Sequence, residues 1–100
     1  MEISQRAQRS PRILDENALS YEIIAAALEV HSALGPGLLE HSYEEALMHE
    51  LALRGFEVER QRSIPIKYKS LTIQDAYRAD LIVNDLVIVE VKSVKTIEDI

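Results

Sequence analysis

Residues 79–92 read ADLIVNDLVIVEVK, two apolar and largely β-branched runs on either side of a short polar turn. Asp80 lies near the start of the first run, and Glu90 and Lys92 lie near the end of the second. Charged side chains at strand positions that look buried are costly unless they are paired or bind a metal. The stretch predicts a β-hairpin with acids at the end away from its turn.

The length of that turn decides whether the two acids meet. A two-residue turn pairs Asp80 with Val89 and places Asp80 on the opposite face from Glu90, because side chains alternate along a strand. A three-residue turn over 84–86 pairs Asp80 directly with Glu90, and Asn and Asp tolerate the left-handed backbone such turns use. The turn alone favours the shorter loop, whereas a shared site requires the longer one.

Side by side, the two carboxylates and the lysine two residues further on would form a divalent-metal site with a charge partner. That combination suits hydrolysis of a phosphodiester. The competing interpretation is a set of ordinary charges on a half-exposed sheet, because short charged patterns often arise by chance.

The composition indicates one folded domain. The chain has 100 residues, 47% of them hydrophobic, and no cysteine, which excludes disulfides and thiolate metal sites and favours a reducing cytoplasm. No apolar run of about 18 residues predicts a membrane span. We expect a polar tail over residues 1–17 and a domain over 18–100.

Charge is distributed unevenly. The net charge of −6 argues against a protein that coats nucleic acid by bulk electrostatics, but residues 52–95 carry eight basic and six acidic side chains, a local charge of +2. This part of the chain is either a solvated mixed surface or a strip that faces nucleic acid.

Apolar spacing predicts two helices in the first half. The first, capped by Ser20 or Asn17, carries a stripe of Leu19, Ile23, Ala27, Val30 and Leu34. The second ends at Gly55 and carries Leu39, Tyr43, Leu47 and Leu51, with Glu40, His41 and Glu44 on its opposite face.

Strand-like spacing follows. We expect a first strand from Val58 to Tyr68 that is bent at Pro65, which indicates an edge position or a bulge there. A turn at Lys69-Ser70 and strands over 77–83 and 86–93 follow. Thr96 looks like the start of a helix, so the sequence is expected to be shortened at its C-terminal end.

Residues 37–43 read GLLEHSY, the spacing G-x-x-E-x-x-Y, within VHSALGPGLLEHSYEEAL, and the segments YRADLIV and VIVEVK follow in order. Over residues 19–94 the chain resembles the GxxExxY protein family, which is placed in the PD-(D/E)XK nuclease superfamily. The resemblance implies an α/β (α+β) restriction-endonuclease-like core of α-β-β-β-α-β order. Here that core would have two N-terminal helices on a three-stranded, largely antiparallel sheet, without the C-terminal helix and strand.

The resemblance also implies the roles of individual residues. Asp80 and Glu90 would ligate the metal together with the backbone carbonyl of Val91, and Lys92 would be the motif lysine. Glu40 matches an acid that some members of the superfamily place on a core helix beside the metal. The expected cofactor is magnesium, with manganese as an alternative.

Three further side chains are weaker candidates for substrate binding. Gln61 could support the site from the first strand, although an exposed glutamine is an equally good interpretation. Tyr77 and Arg78 flank Asp80 and could contact a phosphate, unless Arg78 simply pairs with a neighbouring acid.

The leading hypothesis is a magnesium-dependent nuclease that acts on DNA or RNA in the cytoplasm. The alternative is a non-catalytic module that keeps the fold and binds nucleic acid or protein. A short chain with an open sheet face also leads us to expect a homodimer.

Overall fold

The computed structural model describes residues 1–7 and 15–93. Its elements, in chain order, are β1 (Glu2–Ala7), α1 (Glu16–Leu34), α2 (Glu40–Leu53), β2 (Val58–Tyr68), β3 (Leu71–Val83) and β4 (Val87–Lys92). The strands form one antiparallel sheet in the order β1-β4-β3-β2. The α+β fold class is confirmed, but the sheet has four strands where three were expected.

The additional strand lies in the segment predicted to be a polar tail. Met1 and Ile3 are partly buried against the core while Glu2 between them is exposed, the alternation of a strand with one covered face. β1 pairs with β4 from Glu2↔Lys92 to Ala7↔Val87. The sequence did not predict this strand, because a segment this short and polar forms a strand only when the edge of a neighbouring strand offers it hydrogen bonds.

The start of α1 also differs from the expectation. Asp15 is its N-cap, and its carboxylate accepts a hydrogen bond from the N–H of Asn17 at 2.7 Å. The caps proposed at Ser20 and Asn17 therefore lie inside the helix.

The end of α2 matches the prediction. Gly55 has a φ of 90°, and the N–H of Phe56 reaches back to the carbonyl of Leu51 at 3.1 Å. Two assignments on this helix were wrong: Leu39 is an exposed N-cap, not part of the apolar stripe, and Glu44 is buried.

The helices cover one face of the sheet. The buried core joins α1 and α2 to alternate residues of the two central strands, namely Leu81 and Val83 of β3 and Val87, Val89 and Val91 of β4. Because strand side chains alternate, Glu90 and Lys92 point to the face away from the helices. Neither helix in the described ranges has the length and apolar composition needed to cross a membrane.

Strands β2 and β3 form a long ribbon. Its turn at Lys69-Ser70 and the register shift around Pro65, between Ile64 and Ile66, were both predicted. β3 begins at Leu71, six residues earlier than expected. The predicted helix start at Thr96 lies outside the described residues.

Candidate metal centre

The turn between β3 and β4 has three residues, 84–86. Asn84 and Asp85 both have a φ of 52°, and the N–H of Leu86 donates to the carbonyl of Val83 at 3.0 Å. Val83 therefore pairs with Val87, and Leu81 with Val89. Of the two registers that the sequence left open, the structure has the longer turn.

Contacts from Glu57, just before β2, and from Arg62 within β2 hold this turn in place. The N–H of Asn84 donates to the carbonyl of Glu57 at 2.7 Å, and the Asn84 side-chain oxygen accepts from the N–H of Glu57 at 2.8 Å. Arg62 donates to the carboxylate of Asp85 at 3.0 Å. These contacts offset the cost of two successive left-handed residues.

The pairing of β3 with β4 ends at Leu81–Val89. If the pairing continued, the N–H of Val91 would donate a hydrogen bond to the carbonyl of Ala79. That N–H instead donates to the Asp80 carboxylate at 2.8 Å. The two strands therefore separate at this point, and the Asp80 side chain occupies the gap between them.

This gap suits a hard cation. In an extended strand the N–H and C=O of one residue point to the same side, so the Val91 carbonyl faces the same gap as Asp80. Asp80 and Glu90 are half-buried, and neither forms an ion pair with another described residue. The donor set is oxygen-rich, as magnesium requires.

Glu40 approaches the same edge of β4. It is the first residue of α2, and its carboxylate accepts the N–H of Ser93 at 3.1 Å. Val91 and Ser93 are alternate residues, so their N–H groups point to the same side of the strand, about 6.6–6.8 Å apart along it. Asp80 and Glu40 therefore contact consecutive positions along the edge that β3 leaves open.

The loop before α2 brings Glu40 there. The hydroxyl of Tyr43 accepts from the N–H of Leu38 at 3.1 Å and donates to the carbonyl of Gly35 at 2.5 Å. Ser93 then donates through its hydroxyl to the Leu38 carbonyl at 2.6 Å. The tyrosine of the G-x-x-E-x-x-Y spacing thus shapes the loop that docks on the end of β4.

The acids do not form a three-carboxylate cluster. Across residues 1–7 and 15–93, no three His, Asp or Glu side chains come close enough to hold one metal ion together. Lys92 is exposed, two residues beyond Glu90 on the same face of β4.

Gln61 lies in β2 between the pairs Arg60↔Leu81 and Arg62↔Ala79, which places it across from Asp80. Its φ of 54° is a left-handed conformation within a strand, and its side-chain amide donates to Glu44 at 2.8 Å. Gln61 is therefore more than an exposed glutamine, because its amide binds a buried carboxylate.

Sequence reasoning also missed Glu44, which is only 5% exposed. Its carboxylate accepts from Arg60 at 2.7 Å as well as from Gln61, and this hydrogen bond raises the pKa of the Arg60 guanidinium. A buried acid on an apolar helix face signals a buried partner. Here Glu44 connects α2 to the strand residue that lies across from Asp80.

The two remaining candidates lie further along β3. Tyr77 is half-buried and pairs with Ile64. Arg78 is exposed, lies two residues before Asp80, and forms no ion pair with any acid in the described ranges. A substrate-binding role for Tyr77 and Arg78 remains a prediction.

We predict that Glu44→Ala lowers the melting temperature by roughly 5–15 °C, because it leaves Arg60 and Gln61 without their shared acceptor. The matched control is Glu45→Ala, since Glu45 is exposed and lies 3.9 Å from the same guanidinium. That exposed ion pair is weak, so its loss should change the melting temperature little. Equal melting temperatures for the two variants would contradict the assignment.

The comparisons with known proteins agree with this geometry. The model of the PD-(D/E)XK nuclease superfamily matches residues 17–100, the greater part of the chain. The searches of curated proteins and of solved structures gave no match. Members of this superfamily generally use divalent metal ions and act on nucleic acid. The chain belongs to the PD-(D/E)XK nuclease superfamily.

Proposed function

We propose that this protein is a magnesium-dependent nuclease whose metal ligands are Asp80, Glu90 and the Val91 carbonyl. The observation that carries the proposal is the hydrogen bond from the Val91 N–H to Asp80 where β3 and β4 separate. It holds a carboxylate beside a backbone oxygen in a half-buried gap, and Glu90 follows directly after the last paired residue of β4, Val89. The G-x-x-E-x-x-Y spacing at 37–43 supports placing the chain in the GxxExxY group of the superfamily.

A bound divalent cation would lower the pKa of a coordinated water and stabilise negative charge that develops on a phosphate. Carboxylates and carbonyls are the ligands magnesium prefers, and manganese accepts the same set. One Asp80 oxygen is already oriented by Val91, which fixes the direction in which the other oxygen points.

Lys92 and Glu40 have separate roles in this proposal. Lys92 shares the face of Glu90 and is exposed, so its ammonium can donate to a phosphate oxygen and offset its charge. Glu40, held on the N–H of Ser93, can accept a proton from a water at the edge of the gap. Gln61 and its partner Glu44 position the strand across from Asp80 and are not proposed to touch substrate.

The alternative is a module that keeps the fold and binds nucleic acid or protein without cleaving. The observation that favours it is the lack of a three-acid cluster in the described part of the chain. The two functions differ in one result: the alternative shows no magnesium-dependent cleavage of nucleic acid.

We predict that Asp80→Asn lowers magnesium-dependent cleavage of labelled DNA and RNA by at least about a hundredfold. It should also abolish the rise in melting temperature that magnesium or manganese gives the wild type. The amide keeps an oxygen that can accept the Val91 N–H, so the strand ends should stay in place. Glu45→Gln, at an exposed acid on α2, is the control and should behave as wild type.

Cleavage that survives in Asp80→Asn would remove Asp80 from the site. A wild type that binds nucleic acid but neither cleaves it nor responds to either metal would establish the non-catalytic alternative instead.

We also propose a homodimer. Tyr21, Ile24 and Leu28 form an exposed apolar stripe on α1, with Tyr21 73% and Leu28 63% exposed. Sedimentation should show a dimer that Leu28→Gln weakens, with the exposed Ala18→Gln as control. A wild-type monomer at micromolar concentration would contradict this.

A cytoplasmic location remains a prediction from the cysteine-free composition.

A further inference from the structure

The outer part of the β2–β3 ribbon carries an apolar face. Cross-strand pairing places Ile66 opposite Ile73 and Tyr68 opposite Leu71. Directly opposite residues share a face, and these four side chains are 41–60% exposed. Lys67 pairs with Thr72 between them and therefore points to the other face.

The cations of the ribbon differ from the arginines of the globular body. Arg54, Arg60 and Arg62 each bind acids, with shortest N–O distances of 2.9, 2.7 and 3.0 Å. Lys67 and Lys69, in contrast, form no ion pair with a described residue. No acid lies between residues 66 and 73, so the tip of the ribbon is purely cationic.

An aromatic ring accompanies these charges. The Lys69 ammonium lies 5.4 Å from the centroid of the Tyr68 ring, and Tyr68 is 60% exposed. A cation beside an exposed ring offers a phosphate contact and a stacking surface together.

The ribbon leads directly from the candidate metal centre. Arg78 lies two residues from Asp80 on β3, and Leu71 at the tip lies nine residues away. At about 3.3 Å per residue the strand covers ~30 Å, the length of about nine base pairs along one strand of a duplex. Unpaired cations therefore stand both beside the site and at the far end of this path.

We propose that the outer β2–β3 ribbon, residues 63–78, is a nucleic-acid-binding arm. Lys67, Lys69 and Arg78 neutralise phosphates, and Tyr68 contacts a base or sugar. A two-stranded ribbon fits the major groove of a duplex. Within residues 1–7 and 15–93, the arm carries three cations that form no ion pair, and these would let a chain of net charge −6 engage a polyanion.

A nucleic acid fits this surface better than a protein does. Four side chains on a narrow ribbon offer far less than the ~800 Å² per partner of a standard protein interface. Unpaired lysines flank them, and lysine is depleted in such interfaces. This inference extends the proposed function to the substrate, but binding by the arm does not require a metal.

The test is the salt dependence of duplex binding, measured by fluorescence anisotropy with a labelled 16-base-pair DNA in the presence of a chelator. Lys67→Gln/Lys69→Gln should weaken binding at least tenfold at 50 mM salt. It should also reduce the slope of log K against log salt by about 2, one unit for each lost phosphate contact. The control, Asn17→Glu/Ala18→Glu, changes the net charge equally at the first turn of α1, where acids suit the helix dipole.

A control that loses binding as strongly as the ribbon variant would assign the effect to bulk charge and overturn the proposal. An unchanged salt slope would also overturn the proposal. If the ribbon variant binds DNA normally while Ile66→Ser disrupts self-association, the apolar face belongs to a protein partner and the proposal is wrong. Because the chelator removes metal, a failed nuclease site leaves this result untouched. Asp80→Asn should bind the duplex with the wild-type slope.

Discussion

The left-handed backbone at Asn84 and Asp85 is the constraint on which the candidate site depends. Two successive residues at a φ of 52° make a turn of three residues and pair Val83 with Val87. A shift of one residue would move the acids of the hairpin to opposite faces. The two hydrogen bonds between Glu57 and Asn84 therefore fix the pairing register of β3 and β4 as well as the conformation of the turn.

In the same register, the end of β4 has no backbone partner on the β3 side, and two carboxylates accept its N–H groups instead. Asp80 accepts the N–H of Val91, and Glu40 accepts the N–H of Ser93. The Val91 N–H is partly buried and needs an acceptor, so its contact with Asp80 stabilises the strand end. They also gather negative charge at one edge, which costs stability unless a cation or Lys92 compensates. The same carboxylates thus serve the hydrogen bonding of the strand end and could bind a cation.

Local signals in the sequence sufficed for much of this fold. The hairpin, the end of α2 at Gly55 and the bulge at Pro65 each depend on residues close in sequence. β1 was missed because its stability comes from the distant edge of β4. Glu44 was misplaced because its carboxylate is buried only through partners on β2. The Asp80–Val91 contact involves a backbone N–H, which no side-chain pattern reveals.

The most direct test is an amide NMR titration of the full chain with substoichiometric Mn²⁺, since a bound paramagnetic ion broadens the signals nearest to it. Asp80, Val91 and Ser93 should broaden first, and excess Mg²⁺ should restore them. Mg²⁺ competition separates a shared site from non-specific attraction to surface acids. Broadening that begins instead at the acids around Arg54, namely Glu22, Glu29 and Glu50, would contradict a metal centre between β3 and β4.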